Sequence, residues 1–162
     1  MSFDAYNFDR VLFTEDDFDA MSWHDNPIHA IAFGPGDYEL SLDIDYIFKW
    51  EQPLPGEKGY RFWISPATLV FENVYDLQVN QPYPYYAGLT ITGVLREEME
   101  KERGWPANKK VWKWTLGCLE SGWMFSATGY RQFIRKPPIL FNEQRYDIEE
   151  RQGYSFECPD RP

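Results

Sequence analysis

From Tyr38 to Trp50 the side chains alternate in character almost without a break. Tyr38, Leu40, Leu42, Ile44, Tyr46 and Phe48 stand against Glu39, Ser41, Asp43, Asp45, Ile47 and Lys49. A period of two places alternate residues on opposite faces of a strand and is incompatible with a helix, whose apolar positions recur every three or four residues. A strand this long with one apolar face must cover that face with a second layer, so the chain is committed to a multi-stranded sheet. Ile28–Phe33 reads as another strand, separated from the first by Gly34-Pro35-Gly36-Asp37, a turn by composition. The two runs therefore predict an antiparallel hairpin.

Further short strands are expected at Tyr60–Ile64, Ala67–Phe71, Asp76–Val79 and Leu89–Leu95. Lys110–Leu119 and Trp123–Phe133 are expected to pair around Glu120-Ser121-Gly122, and Gly153–Cys158 to form a last edge strand. Arg96–Arg103 reads as a short charged helix or loop. Gln81–Tyr86 reads as loop or edge, because its prolines donate no ladder hydrogen bond. Near residues 14–21 a short acidic helix is predicted: Thr14 and Asp17 make a near capping box, acids fill the first turn, and Phe18 and Met21 share one side. Eight or nine short strands without crossover helices argue a single mainly β domain over 1–162, an antiparallel β-sandwich or partly open barrel with one or two short helices.

Composition narrows the function classes. The chain has 162 residues, aromatics make up 19% of it, and its net charge is −10. Residues 1–45 hold eleven acids against one base, Arg10, while the other 117 residues hold fifteen of each. A negative field so concentrated repels nucleic acid and anionic membrane and attracts cationic proteins or metal ions. No apolar run approaches the roughly 18 residues of a membrane-spanning helix, and the acidic start does not read as a secretory signal. Two cysteines, Cys118 and Cys158, make no disulfide framework, and a cytoplasmic setting follows as an expectation.

Residues able to carry chemistry are few. Both histidines lie in Trp23-His24-Asp25-Asn26-Pro27-Ile28-His29, so a zinc site would draw on His24, Asp25 and His29, completed by Asp43 or Asp45 on the neighbouring strand. The spacing matches neither a helical His pair nor a cysteine knuckle. The same residues also suit a turn whose side chains bond the backbone, and Asp43 and Asp45 suit the solvated face of a half-buried sheet. There is no nucleophile elbow and no phosphate-binding glycine loop, so no catalytic residue is nominated, and no cofactor is expected. Tyr83, Tyr85 and Tyr86 crowd a proline loop with the rigid amphipathic side chains that anchor interfaces.

Several segments, taken in order, resemble the immunity protein 50 family of bacterial polymorphic toxin systems. Ser22-Trp23-His24-Asp25-Asn26-Pro27-Ile28 is similar to its aromatic-His-Asp stretch leading into a strand, and Tyr38–Ile44 to the alternating strand that follows. Leu69-Val70-Phe71-Glu72-Asn73-Val74-Tyr75-Asp76-Leu77 is similar to its strand-turn-strand, and Gly153–Cys158 to its aromatic last strand. The loops at 51–59 and 81–86 and the charged insert 96–103 depart from the family. The resemblance implies a small cytosolic protein that neutralises a toxin by binding it, without chemistry of its own. The expected function is thus a non-enzymatic binding module whose Asp16, Asp17, Asp19, Tyr83, Tyr85 and Tyr86 contact a basic protein such as a cationic toxin. A metal-dependent hydrolase and a small-ligand-binding barrel are the alternatives.

Overall fold

The computed structural model describes residues 6–34, 38–80, 89–101, 103–118 and 121–162. Among them, ten strands form one antiparallel sheet that does not close. They are β1 (Leu12–Thr14), β2 (Asn26–Gly34), β3 (Glu39–Glu51), β4 (Arg61–Glu72), β5 (Tyr75–Asn80), β6 (Leu89–Met99), β7 (Val111–Cys118), β8 (Ser121–Ala127), β9 (Gly129–Ile134) and β10 (Ile139–Phe141). The order is β1-β9-β4-β3-β2-β6-β7-β8-β5, with β10 added on β4. The mainly β class and the β2–β3 hairpin are as expected, the hairpin running in register from Ala30↔Asp43 to Gly34↔Glu39. No helix among the described residues is long and apolar enough to cross a bilayer.

Two tight corners fold the sheet over on itself. Only Asn73 and Val74 separate β4 from β5, and only Thr128 separates β8 from β9, yet each pair belongs to opposite halves of the strand order. The corners are tied together: the Thr128 N–H donates to Glu72 O (3.0 Å) and Asn73 Nδ2 to Thr128 Oγ1 (2.8 Å). Asn73 takes the left-handed φ of 53° that Asn tolerates better than most residues. At Gly129 the Glu15 carboxylate packs directly over the Cα, and a Cβ there would have to displace the end of that side chain. The folded-over inner faces enclose Leu40, Leu42, Ile44, Leu69, Phe71, Trp114, Leu116, Phe125 and Tyr130, all essentially inaccessible. Phe71 meets Trp114 at 5.2 Å and Phe125 at 4.7 Å edge to face, the geometry that ring quadrupoles favour.

Several local expectations are corrected. The acidic helix is a 3-10 helix, Glu15–Ala20, and the Thr14 N–H donates to Asp17 Oδ2 (2.9 Å) as the capping reading required. Phe18 and Met21 do pack on the core. The expected pair of strands around Pro66 is one strand, β4. Proline survives mid-strand because the neighbour changes there: β9 ends at Ile134, β10 begins at Ile139, and the Arg135 N–H still reaches Pro66 O (3.0 Å). The charged run 96–99 is strand, paired Arg96↔Trp114 to Met99↔Val111; Glu97 and Glu98 are exposed on opposite faces, and Arg96 lies over the Phe18 and Trp112 rings at 4.3 and 4.2 Å. Trp123–Phe133 is cut at Thr128 into two strands of different layers. Gly153–Cys158 is an extended tail rather than a strand, and the short β1 and β10 have no forecast.

Candidate functional site

The outer face of β3 and β4 is roofed by the chain after β10. Along that face lies a small second core of Ile47, Phe62 and Ile64 under Tyr146, with Phe141 stacked on the Tyr146 ring at 5.4 Å. Beside it, Asp43 and Asp45 are fully inaccessible, which overturns the solvated-face expectation. The sequence between Asp147 and Gly153 supplies what they need. A single helical turn closes with the Gln152 N–H on Glu149 O and the Gly153 N–H on Ile148 O, both residues having positive φ. That turn points Arg151 inward and leaves Glu149 and Glu150 exposed.

Arg151 is wholly buried and grips Asp43 with two parallel bonds, Nη1 to Oδ2 and Nη2 to Oδ1, each 2.7 Å. Its Nη2 also lies 3.1 Å from Asp45 Oδ1 and donates to Ile44 O at 3.1 Å. Asp43 takes further bonds from Arg135 Nη2 (2.6 Å) and the Ser155 N–H (2.9 Å). Burial alone would raise the Asp43 pKa, but the Arg151, Arg135 and Ser155 donors outweigh it and hold the carboxyl below the usual range. Two carboxylates and two guanidiniums thus cancel in a dry layer, where an unpaired charge would cost several kcal/mol.

Asp45 also holds His29. His29 Nε2 lies 2.6 Å from Asp45 Oδ2, and the same oxygen accepts the Tyr146 N–H at 2.8 Å. Every other group at this carboxylate is a donor, which makes Oδ2 the acceptor and Nε2 the donor of the short His29–Asp45 bond. The side chain of His29 is 3% exposed. It forms the floor of a groove of about 300 Å³ walled by Glu143, Arg145, Asp147, Ile148 and Tyr154.

The five residues considered for a metal therefore separate. His29, Asp43 and Asp45 belong to the buried cluster, whereas His24 is exposed, with Nδ1 3.2 Å from Asp25 Oδ2. The His24 ring faces Trp50 at 6.2 Å, and Asp25, at φ 62°, accepts from Gln144 Nε2 at 3.2 Å. Asp25 is thus a turn residue, but its side chain meets the His24 and Gln144 side chains rather than the backbone. Among the described residues, no three His, Cys, Asp or Glu side chains are placed to hold a metal ion.

The acids of the first quarter meet different fates. Glu39 pairs with Arg131 (2.8 Å), Asp17 with Arg10, and Glu15 with Arg161, which also holds Glu72 at 2.8 Å. Much of the negative charge concentrated in the sequence is thus internal adhesive for arginines from the far end of the chain. Asp16 and Asp19 are exposed without a described ion-pair partner. Tyr83, Tyr85 and Tyr86 lie outside the described residues. Arg135 and Arg151, which organise the outer layer, escape sequence reasoning. Their signal was the arithmetic itself, since an acid-rich first quarter invites partners from the rest of the chain.

Neither thiol is activated: burial pushes Cys118 up to about 11, and burial likewise pushes Cys158 up to about 11 despite the nearby Arg131. The facing inner sides of the folded-over halves are filled by the aromatic core, and at the edge of the seam Glu15, Glu72, Arg96, Trp112 and Arg161 line a cleft of about 610 Å³. Compared with family models, with curated proteins and with solved structures, the chain matches none.

Proposed function

We propose that this chain is a non-enzymatic protein-binding module of the immunity type, acting in the cytoplasm and capturing a basic protein such as a cationic toxin. The observation that carries the reading is the division of the carboxylates. Those with a fixed, buried geometry are held by Arg131, Arg135, Arg151 or Arg161. Of the rest, Glu51, Glu57 and Glu98 pair at the surface with Lys49, Arg61 and Lys110, whereas Asp16 and Asp19 on the 3-10 helix, and Glu143, Asp147, Glu149 and Glu150 on the C-terminal segment, are exposed without an ion-pair partner among the described residues. Unpaired surface carboxylates steer a cationic partner and speed its association. The resemblance of the Trp23–Ile28 and Tyr38–Ile44 segments to immunity proteins points the same way.

The test is capture from host lysate along a salt gradient, followed by affinity measurement with the purified partner. A basic partner released at moderate salt, and bound roughly tenfold more weakly by the Asp16→Lys, Asp19→Lys double variant at low salt, is the expected result. Asp17 is left intact because it caps the 3-10 helix. A partner of acidic or neutral charge, or affinity indifferent to both salt and charge reversal, would refute the reading.

A further inference from the structure

The groove above His29 is lined partly by residues that dock the C-terminal segment, His29 and Tyr146, and partly by exposed charged side chains, and its chemistry is specific. The geometry points to a receptor for one cationic side chain, the ammonium of a lysine or the guanidinium of an arginine, presented by the basic partner proposed above. The inference rests on that reading and deepens it.

Three observations converge. First, His29 is almost wholly buried, yet only Nε2 is engaged: no described residue bonds Nδ1, and the ring lines the groove. In the tautomer whose Nε2 donates to Asp45, Nδ1 is a lone-pair acceptor, and Asp45 fixes the orientation of the ring. Asp45 is itself immobilised by Arg151 and the Tyr146 N–H, so the acceptor is preorganised from below. Second, the walls carry the carboxylates of Glu143 and Asp147, both exposed and without an ion-pair partner among the described residues. Glu149 and Glu150 follow on the adjoining turn, and Arg145 is the one base in the wall. Third, Tyr154, an aromatic side chain of the kind that attracts cations, lines the groove at 63% exposure.

These acceptors do not close up as metal ligands would. Spread across about 300 Å³, they suit a long side chain whose several N–H donors reach more than one acceptor. The buried charges beneath do not oppose it, because Asp43 and Asp45 are balanced by Arg135 and Arg151.

The test uses the full chain and decalysine as the probe. The protein has two histidines, so ring resonances of His29 report the groove, and those of exposed His24, which shares a pocket with Asp19, report the 3-10 helix surface separately. Decalysine is expected to shift the His29 ring saturably. The Glu143→Gln, Asp147→Asn double variant should bind it roughly five- to tenfold more weakly, each exposed charge contact being worth a few-fold. Asn at 147 retains the acceptor that the Glu149 N–H uses, and an unchanged melting temperature confirms the fold. Decalysine binding with an unmoved His29 ring, or with equal affinity for the variant, overturns the groove while leaving the basic-partner reading standing. No binding of decalysine at all likewise overturns the groove, and the basic-partner reading then stands or falls on the capture experiment above.

Discussion

On the inner side of β3, Leu40, Leu42 and Ile44 disappear among Phe71, Trp114 and Tyr130. One residue along the same strand, Asp43 and Asp45 are as inaccessible but meet guanidinium groups and backbone N–H donors. The two layers are held by different physics. The inner one is cohesive wherever apolar surface leaves water, and it tolerates small rearrangements. The outer one is stable only while every charge keeps its partner, so its failure is local and abrupt. It also depends on chain that comes more than ninety residues later, whereas much of the inner layer is built by strands that are neighbours in sequence.

The sharpest way to break this contrast is to damage each layer once. Trp114→Ala is expected to cost about 3–5 kcal/mol by opening a cavity beside Phe71 and Tyr130, and to lower the midpoint of urea unfolding for the whole domain. Arg151→Met should cost a comparable 3–5 kcal/mol or somewhat less, by stranding Asp43 and Asp45. Its signature differs: limited proteolysis should cut the segment after Phe141 while the sheet stays resistant. Global unfolding of Arg151→Met without that selective cleavage would mean that the two layers are one cooperative unit.

Acid offers a gentler probe of the same difference. The folded pKa of Asp43, and that of Glu72 beneath Arg161 and Arg131, lies below the unfolded value despite the raising effect of burial. A depressed folded pKa contributes stability that is fully present above the unfolded value, 3.8 for Asp43, and disappears as pH falls through the folded one. Urea midpoints should therefore be flat above about pH 5 and fall below about pH 4, with a shallower fall in Arg151→Met. A wild-type profile no steeper than the variant's would remove the ionic account of the outer layer.

The smallest effect is expected at the polar exception of the inner layer. Gln132 is fully buried, accepts from Trp23 Nε1 at 2.8 Å, and leaves its own Nε2 without a partner. Gln132→Leu orphans the indole donor but releases the stranded amide, so about 1 kcal/mol or less should be lost in chemical denaturation. A loss as large as that of Trp114→Ala would show that the Trp23–Gln132 bond organises the core rather than decorating it.

The sequence by itself determined the antiparallel class, the β2–β3 hairpin, the inward row of β3 and the capped acidic segment, because each follows from period, turn chemistry or capping within about a dozen residues. Distance along the chain defeated the rest. Asp43 and Asp45 looked like a wet face because alternation states which residues share a side and never what covers that side. Only the tertiary structure brings Arg135 and Arg151 onto them and turns His29 from a candidate metal ligand into the floor of a groove. The break at Thr128 and the continuity of β4 across Pro66 were hidden for the same reason. Strand propensity is local, while the choice of partner strand is settled by which layers can bury their faces together.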